Sequence, residues 1–146
     1  MQPFILATLF ENEDFVVHSV SDDMSVDLTS DWSKADCTAA FDTDHYEITR
    51  TAGTQSFYQS GLTFVNGTTY TVSFYIKDGT ASGETITLMV GDTFYGGEAL
   101  SEPVVSTGSY VKHEFNFTAG VGTTAFSFQS DFAAGNYELK NFLITS

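Results

Sequence analysis

Residues 62–78, LTFVNGTTYTVSFYIKD, open with an Asn66-Gly67 turn and continue as a strict alternation. Tyr70, Val72, Phe74 and Ile76 point one way, and Thr71, Ser73, Tyr75 and Lys77 the other. A period of two over this length, rich in β-branched and aromatic residues, defines a strand with one face buried. That face needs a covering layer, which predicts a sandwich. The pattern recurs. Ile86, Leu88 and Val90 alternate with Thr85, Thr87 and Met89; Val111, His113, Phe115 and Phe117 alternate with Lys112, Glu114, Asn116 and Thr118; Phe126 and Phe128 alternate with Ala125, Ser127 and Gln129. Tyr137, Leu139, Phe142 and Ile144 close the chain, and their break in parity predicts a bulge near Lys140-Asn141.

Strand-like segments fall at about 38–50, 55–60, 68–77, 84–95, 110–118, 123–129 and 136–145, separated by turn signals such as Ala52-Gly53, Asp78-Gly79, Gly96-Gly97 and Gly135-Asn136. No period of 3.6 is sustained. Pro3 and Pro103 lie outside the best strand patterns, as a hydrogen-bond ladder requires. Residues 1–36 are less regular, with short strands expected around Phe15–His18 and Met24–Leu28. The chain reads as an N-terminal arm or docking segment over 1–20, pairing with a neighbouring chain, and an all-β sandwich of two antiparallel sheets over 21–146.

A chain of 146 residues is one domain in size, able to bury roughly 68–70% of the surface it exposes when unfolded. Fourteen Phe and seven Tyr supply that core, and the single cysteine, Cys37, excludes an intrachain disulfide. The net charge of −14, with only Lys34, Arg50, Lys77, Lys112 and Lys140 basic and scattered, argues against nucleic acid and anionic membrane as partners. It suits solubility, divalent cations or a basic protein partner. The opening MQPFILATLF lacks a cationic n-region, so no secretory signal is read there. No run reaches the roughly 18 apolar residues that span a bilayer.

Three elements in order carry a family resemblance. Gly67-Thr68-Thr69-Tyr70-Thr71-Val72-Ser73-Phe74 is one. Thr107-Gly108-Ser109-Tyr110 running into Phe115-Asn116-Phe117-Thr118-Ala119 is the second, and Tyr137 through Ile144 the third. Together with Trp32, Tyr46 to Arg50 and Ser56 to Ser60, they resemble the jelly-roll carbohydrate-binding modules of the family 4/9 kind, within the galactose-binding-like group, over roughly residues 30–146. Tyr110 stands where that family usually has Trp. The resemblance implies a jelly roll, a structural Trp32 and Tyr110, and a structural calcium held by carboxylates near both chain ends. Glu11, Glu13 and Asp14 are the candidate oxygens at one end. At the other, Lys140 replaces the usual Asp and argues against the ion; no other cofactor is implied.

Catalysis finds few parts. His18, His45 and His113 lack metal-binding spacing, and no nucleophile elbow, Walker loop or dinucleotide fingerprint occurs. Asp42-x-Asp44-His45 is the nearest thing to a metal or acid–base cluster, against the plainer reading of a hydrated loop. Asn66-Gly67-Thr68 and Asn116-Phe117-Thr118 match the glycosylation pattern but read as turn and strand. Sugar binding needs rings to stack on pyranose faces, with amides and carboxylates for the hydroxyls. The candidates are Trp32, Tyr58, Tyr75, Phe94, Tyr95 and Phe132, with Gln59, Gln129 and Asp131 as polar partners. Tyr75 leads, beside Lys77 and across from Gln129, against the alternative that it packs under a loop.

Two non-enzymatic functions follow. One is a bacteriophage virion-surface protein, a capsid decoration or tail-associated subunit, contacting other virion proteins or copies of itself through its N-terminal segment and holding glycans. Its motivation is the Met1 start, the missing signal and the absence of an attached catalytic domain. The other is an extracellular polysaccharide-binding module of a secreted glycan-degrading enzyme or adhesin.

Overall fold

A computed structural model describes the backbone of residues 5–9, 15–131 and 135–146, and side chains from Val20 onward outside 132–134. Twelve strands are described: β1 Ile5–Leu9, β2 Phe15–Asp22, β3 Ser33–Ala35, β4 Cys37–Asp42, β5 His45–Arg50, β6 Gln55–Gln59, β7 Thr69–Asp78, β8 Thr85–Gly91, β9 Leu100–Val105, β10 Val111–Thr118, β11 Ala125–Ser130 and β12 Asn136–Thr145. There is no α-helix among the described residues, only a 3-10 turn at Thr29–Asp31.

All pairings are antiparallel and form two sheets. In the seven-stranded sheet, β12 runs against β7 along one side, and β7 pairs with the edge strand β10. On its other side β12 is shared, its first half pairing with β5 and its second with β2. Beyond these lie β4 and β1 as edges. The five-stranded sheet runs β3-β6-β11-β8-β9. The shared partnership of β12 requires a change of direction, which comes as the expected bulge: the register with β7 shifts between Lys140 and Leu143, and Asn141 takes φ 52°.

The alternating sets meet between the sheets. Tyr70, Val72, Phe74 and Ile76 from β7, Ile86, Leu88 and Val90 from β8, Phe126 and Phe128 from β11, and Tyr137, Leu139, Phe142 and Ile144 from β12 are all buried. Trp32 lies among them, stacked on Phe57 with centroids 4.3 Å apart and edge-on to Tyr46, Phe126 and Phe142. One buried carboxylate organises this region. Asp22 accepts the Met24 amide at 2.9 Å, the Trp32 indole N–H at 3.0 Å and the Tyr46 hydroxyl at 2.5 Å.

Several expectations need correction. The segment 38–50 is a hairpin of β4 and β5, turned by Thr43 at φ 59°. Met24–Leu28 is not a strand: the carboxylates of Asp22, Asp23 and Asp27 each accept an amide two residues on, and such Asx turns compete with a ladder. β8 ends at Gly91, and residues 92–99 form a loop. Pro103 lies inside a strand, β9, which the edge of the sheet tolerates because one side of its backbone needs no donor. β2 crosses residue 20 and belongs to the seven-stranded sheet, with Val20 in the core.

Cys37 is buried, and loss of hydration pushes its thiol up to about 11. It is an inert packing residue at neutral pH.

Candidate functional site

The two outer faces differ in chemistry. Strand alternation and register place Tyr58 and Ser56 of β6, Ser127 and Gln129 of β11, Thr85, Thr87 and Met89 of β8, and Ser101 and Pro103 of β9 together on the outside of the five-stranded sheet. None of these side chains is charged. A groove of about 320 Å³ runs across them, lined by Thr54, Thr85, Thr87, Met89, Gln129, Ser130 and Asp131. Ser56, directly opposite Gln129, is fully buried there, and its hydroxyl has no hydrogen-bond partner among the described residues.

An aromatic cluster borders this face. The rings of Tyr58 and Phe94 stack with centroids 4.0 Å apart and planes within 12°. Tyr95 packs on Phe94 at 4.1 Å and remains about half exposed, at 51%. Phe94 comes from the 92–99 loop, which folds back over the sheet because its carbonyl accepts both the Ser127 hydroxyl and the Gln129 amide, each at 2.7 Å. Close approach demands glycine in the loop: a Cβ on Gly97 would lie 2.8 Å from the Met89 Cε and 3.1 Å from the Ser101 Cβ.

The predicted residues divide accordingly. Tyr58, Tyr95, Gln129 and Asp131 come together here, with Phe94. Trp32 is corrected from a ligand contact to a core residue, 2% exposed within its aromatic stack. Gln59 is corrected likewise: it follows Tyr58 in β6, so alternation turns it inward beside Phe126, where it is 4% exposed. Phe132 lies outside the described residues. The groove threonines and Met89 were legible only as the outward set of β8, and no local signal marked them as lining a site.

Tyr75 stands on the other outer face. Its cross-strand neighbours are Lys112 and Lys140, not Gln129, which belongs to the opposite sheet. It lines a groove of about 240 Å³ with Ser21, Asp23, Ser73, Lys112, Asn141, Phe142 and Leu143. Beside it runs a charged network. Glu138 accepts the Tyr110 hydroxyl at 2.8 Å and lies 3.5 Å from Lys77; the ammonium groups of Lys77 and Lys140 sit 5.4 and 5.3 Å from the Tyr110 ring centroid. Burial and the Glu138 carboxylate raise the Tyr110 phenol above its usual range.

The calcium expectation meets an ammonium at one end. Lys140 is ion-paired with Asp44, so a fixed cation occupies the position where an oxygen ligand was expected. Glu11, Glu13 and Asp14 lie outside the described residues.

Two antiparallel sheets around an aromatic core, one carrying a groove flanked by stacked rings, define a jelly-roll binding module. The chain belongs to the carbohydrate binding domain family of the 4/9 type, whose model matches residues 8–134. A comparison with curated proteins gives no match. Among solved structures, the chain is similar to a family 11 carbohydrate-binding module from Clostridium thermocellum in complex with a β-1,3-1,4-mixed-linked tetrasaccharide. Identity is 14% and TM-score 0.61, covering 88% of this chain and 95% of that one. It is also similar to the CBM22-1–GH10 modules of C. thermocellum xylanase 10B complexed with xylohexaose (18%, TM-score 0.63, 87% and 28%). A third is the tailspike protein 4 enzymatically active domain of bacteriophage CBA120 (12%, TM-score 0.60, 80% and 19%). At these identities the structural likenesses establish the fold.

Proposed function

We propose that the outer face of the five-stranded sheet binds a β-linked polysaccharide without cleaving it. The observation that carries this reading is the Tyr58–Phe94–Tyr95 cluster beside a groove lined mostly by hydroxyl and amide side chains, with Asp131 at its end. Exposed ring faces accept the apolar C–H faces of pyranose units, and Gln129, Asp131, Thr85 and Thr87 meet the hydroxyls. The similar modules bound to a mixed-linked glucan fragment and to xylohexaose support β-glucan and xylan as first ligands to try.

Affinity electrophoresis and calorimetry on mixed-linked β-glucan and xylan test this. Tyr58→Ala and Phe94→Ala each remove a stacked ring, and a loss of roughly tenfold in affinity, about 1.4 kcal/mol, is expected. Tyr75→Ala separates the faces. If it abolishes binding while Tyr58→Ala does not, the site lies on the seven-stranded sheet; retention of neither polysaccharide overturns the reading.

For the setting of the module, we propose a virion surface, with an extracellular glycan-degrading enzyme or adhesin as the alternative. The tailspike likeness supports it, as does β1, an edge strand whose outer side has no pairing partner among the described residues. Such an edge accepts a strand from a neighbouring chain. Deleting residues 1–9 removes β1 and leaves β2 on β12. Loss of oligomer or particle attachment with an unchanged circular dichroism spectrum is expected; unchanged assembly mass refutes it.

A further inference from the structure

We propose that the β4–β5 hairpin forms a site for a divalent first-row transition ion, held by Asp42, His45 and Glu47. The backbone fixes these residues. Asp42 and His45 are directly opposite across a two-residue loop, and His45 and Glu47 are two apart on one strand, so all three project from one face. One ligand atom from each lies within 4.8 Å of the others. Small side-chain rotations bring such a trio onto an ion with bonds of about 2.0–2.2 Å.

The surrounding groups orient the ring. The His45 Nδ1 lies 3.2 Å from an Asp44 oxygen, and Asp44 is itself anchored by Lys140. A proton on Nδ1 donates to that carboxylate, which leaves the Nε2 lone pair for a metal; carboxylate-supported histidine ligands have this form. Nε2 faces Glu138 at 3.4 Å and Glu47 at 4.0 Å. A lone pair facing two carboxylates is repulsive unless a cation stands between them. A divalent metal ion placed there removes that repulsion.

Local charge supports a cation here. Lys77 is engaged with Glu138 and Lys140 with Asp44, whereas Asp42 and Glu47 have no lysine or arginine at ion-pair distance among the described residues. The chain's charge of −14 draws divalent cations towards it. One imidazole and two carboxylates select zinc, cobalt or nickel over calcium or magnesium, which prefer all-oxygen shells. Asp42 is exposed, so water completes the coordination.

The test uses the full chain, stripped with EDTA and titrated at neutral pH with zinc chloride by calorimetry and with cobalt chloride by visible absorption. One equivalent is expected to bind. Amide NMR shifts should centre on residues 42–47, and His45→Gln, Asp42→Asn and Glu47→Gln should each weaken binding at least tenfold with the fold intact by circular dichroism. Polysaccharide retention is a separate readout and should be unchanged. Absence of binding heat and NMR shifts overturns the proposal. So does binding of equal strength in His45→Gln.

Discussion

Replacement of Asp22 by alanine tests the interior most directly. It leaves three buried donors without their acceptor: the Met24 amide, the Trp32 indole N–H and the Tyr46 hydroxyl. An unsatisfied buried donor costs about 1–3 kcal/mol. Removing a charge from the interior offsets part of that, and the lost carboxylate leaves a small void. A net destabilisation of about 3–5 kcal/mol follows. For a chain of this size that lowers Tm by roughly 10–15 °C. Calorimetry and guanidinium unfolding measure it, with Asp23→Ala as comparator: its carboxylate accepts the exposed Ser25 amide in an Asx turn, and its loss should cost about 0–1 kcal/mol. Asp22→Asn keeps the shape but turns an NH2 group towards donors, so it should fall between wild type and Ala. If Asp22→Ala lost less than about 1 kcal/mol, the carboxylate would not be the organising acceptor.

Two further predictions concern the loop and the pH range. Gly97→Val should lower polysaccharide affinity several-fold with little change in Tm, because the new side chain meets Met89 and Ser101 and lifts Phe94 off Tyr58; ligand titration and calorimetry on one sample check both. Burial raises the Cys37 thiol and the phenols of Tyr46, Tyr110 and Tyr137, so the unfolded chain releases these protons first as pH rises. Their favourable contribution is therefore full below the ordinary thiol value of 9.0 and shrinks above it. Denaturant midpoints on either side of that value should fall on the alkaline side, and a flat profile would contradict the burial of these groups.

The strands and their inward faces were legible because alternation is a local property. Tyr70 to Ile76, the Lys140–Leu143 bulge and the core membership of Phe126 and Phe128 all follow from it. Local alternation does not say which sheet a strand joins. Tyr75 and Gln129 both point outward from their strands, and only the long-range order of pairing sends them to opposite surfaces. Residues 24–28 misled because their apolar positions resemble a strand, while aspartate side chains had already taken the amides. β9 was hidden by Pro103, whose exclusion holds for central strands and relaxes at an edge. The Phe94 platform depends on a carbonyl accepting from two strand residues more than thirty positions away, which no window around Phe94 contains.

The separation of charge between the two faces leads to a final prediction. The aligned outer positions of the five-stranded sheet carry hydroxyl, amide, thioether and aromatic groups, and among the described residues Asp131 is the one ionisable residue lining the groove. A neutral polysaccharide bound there exchanges hydrogen bonds and ring contacts, neither of which salt screens strongly. Raising salt from about 0.05 to 0.5 M shortens the Debye length more than threefold, yet affinity for mixed-linked β-glucan should hold within a factor of two. A polyuronate feels the field of the whole acidic chain and should bind weakly at low salt, improving as salt rises. Isothermal titration at both ionic strengths measures the two ligands. A steep loss of β-glucan affinity with salt would implicate a charged contact instead, and would shift the binding surface to the seven-stranded sheet around Tyr75 and Lys112.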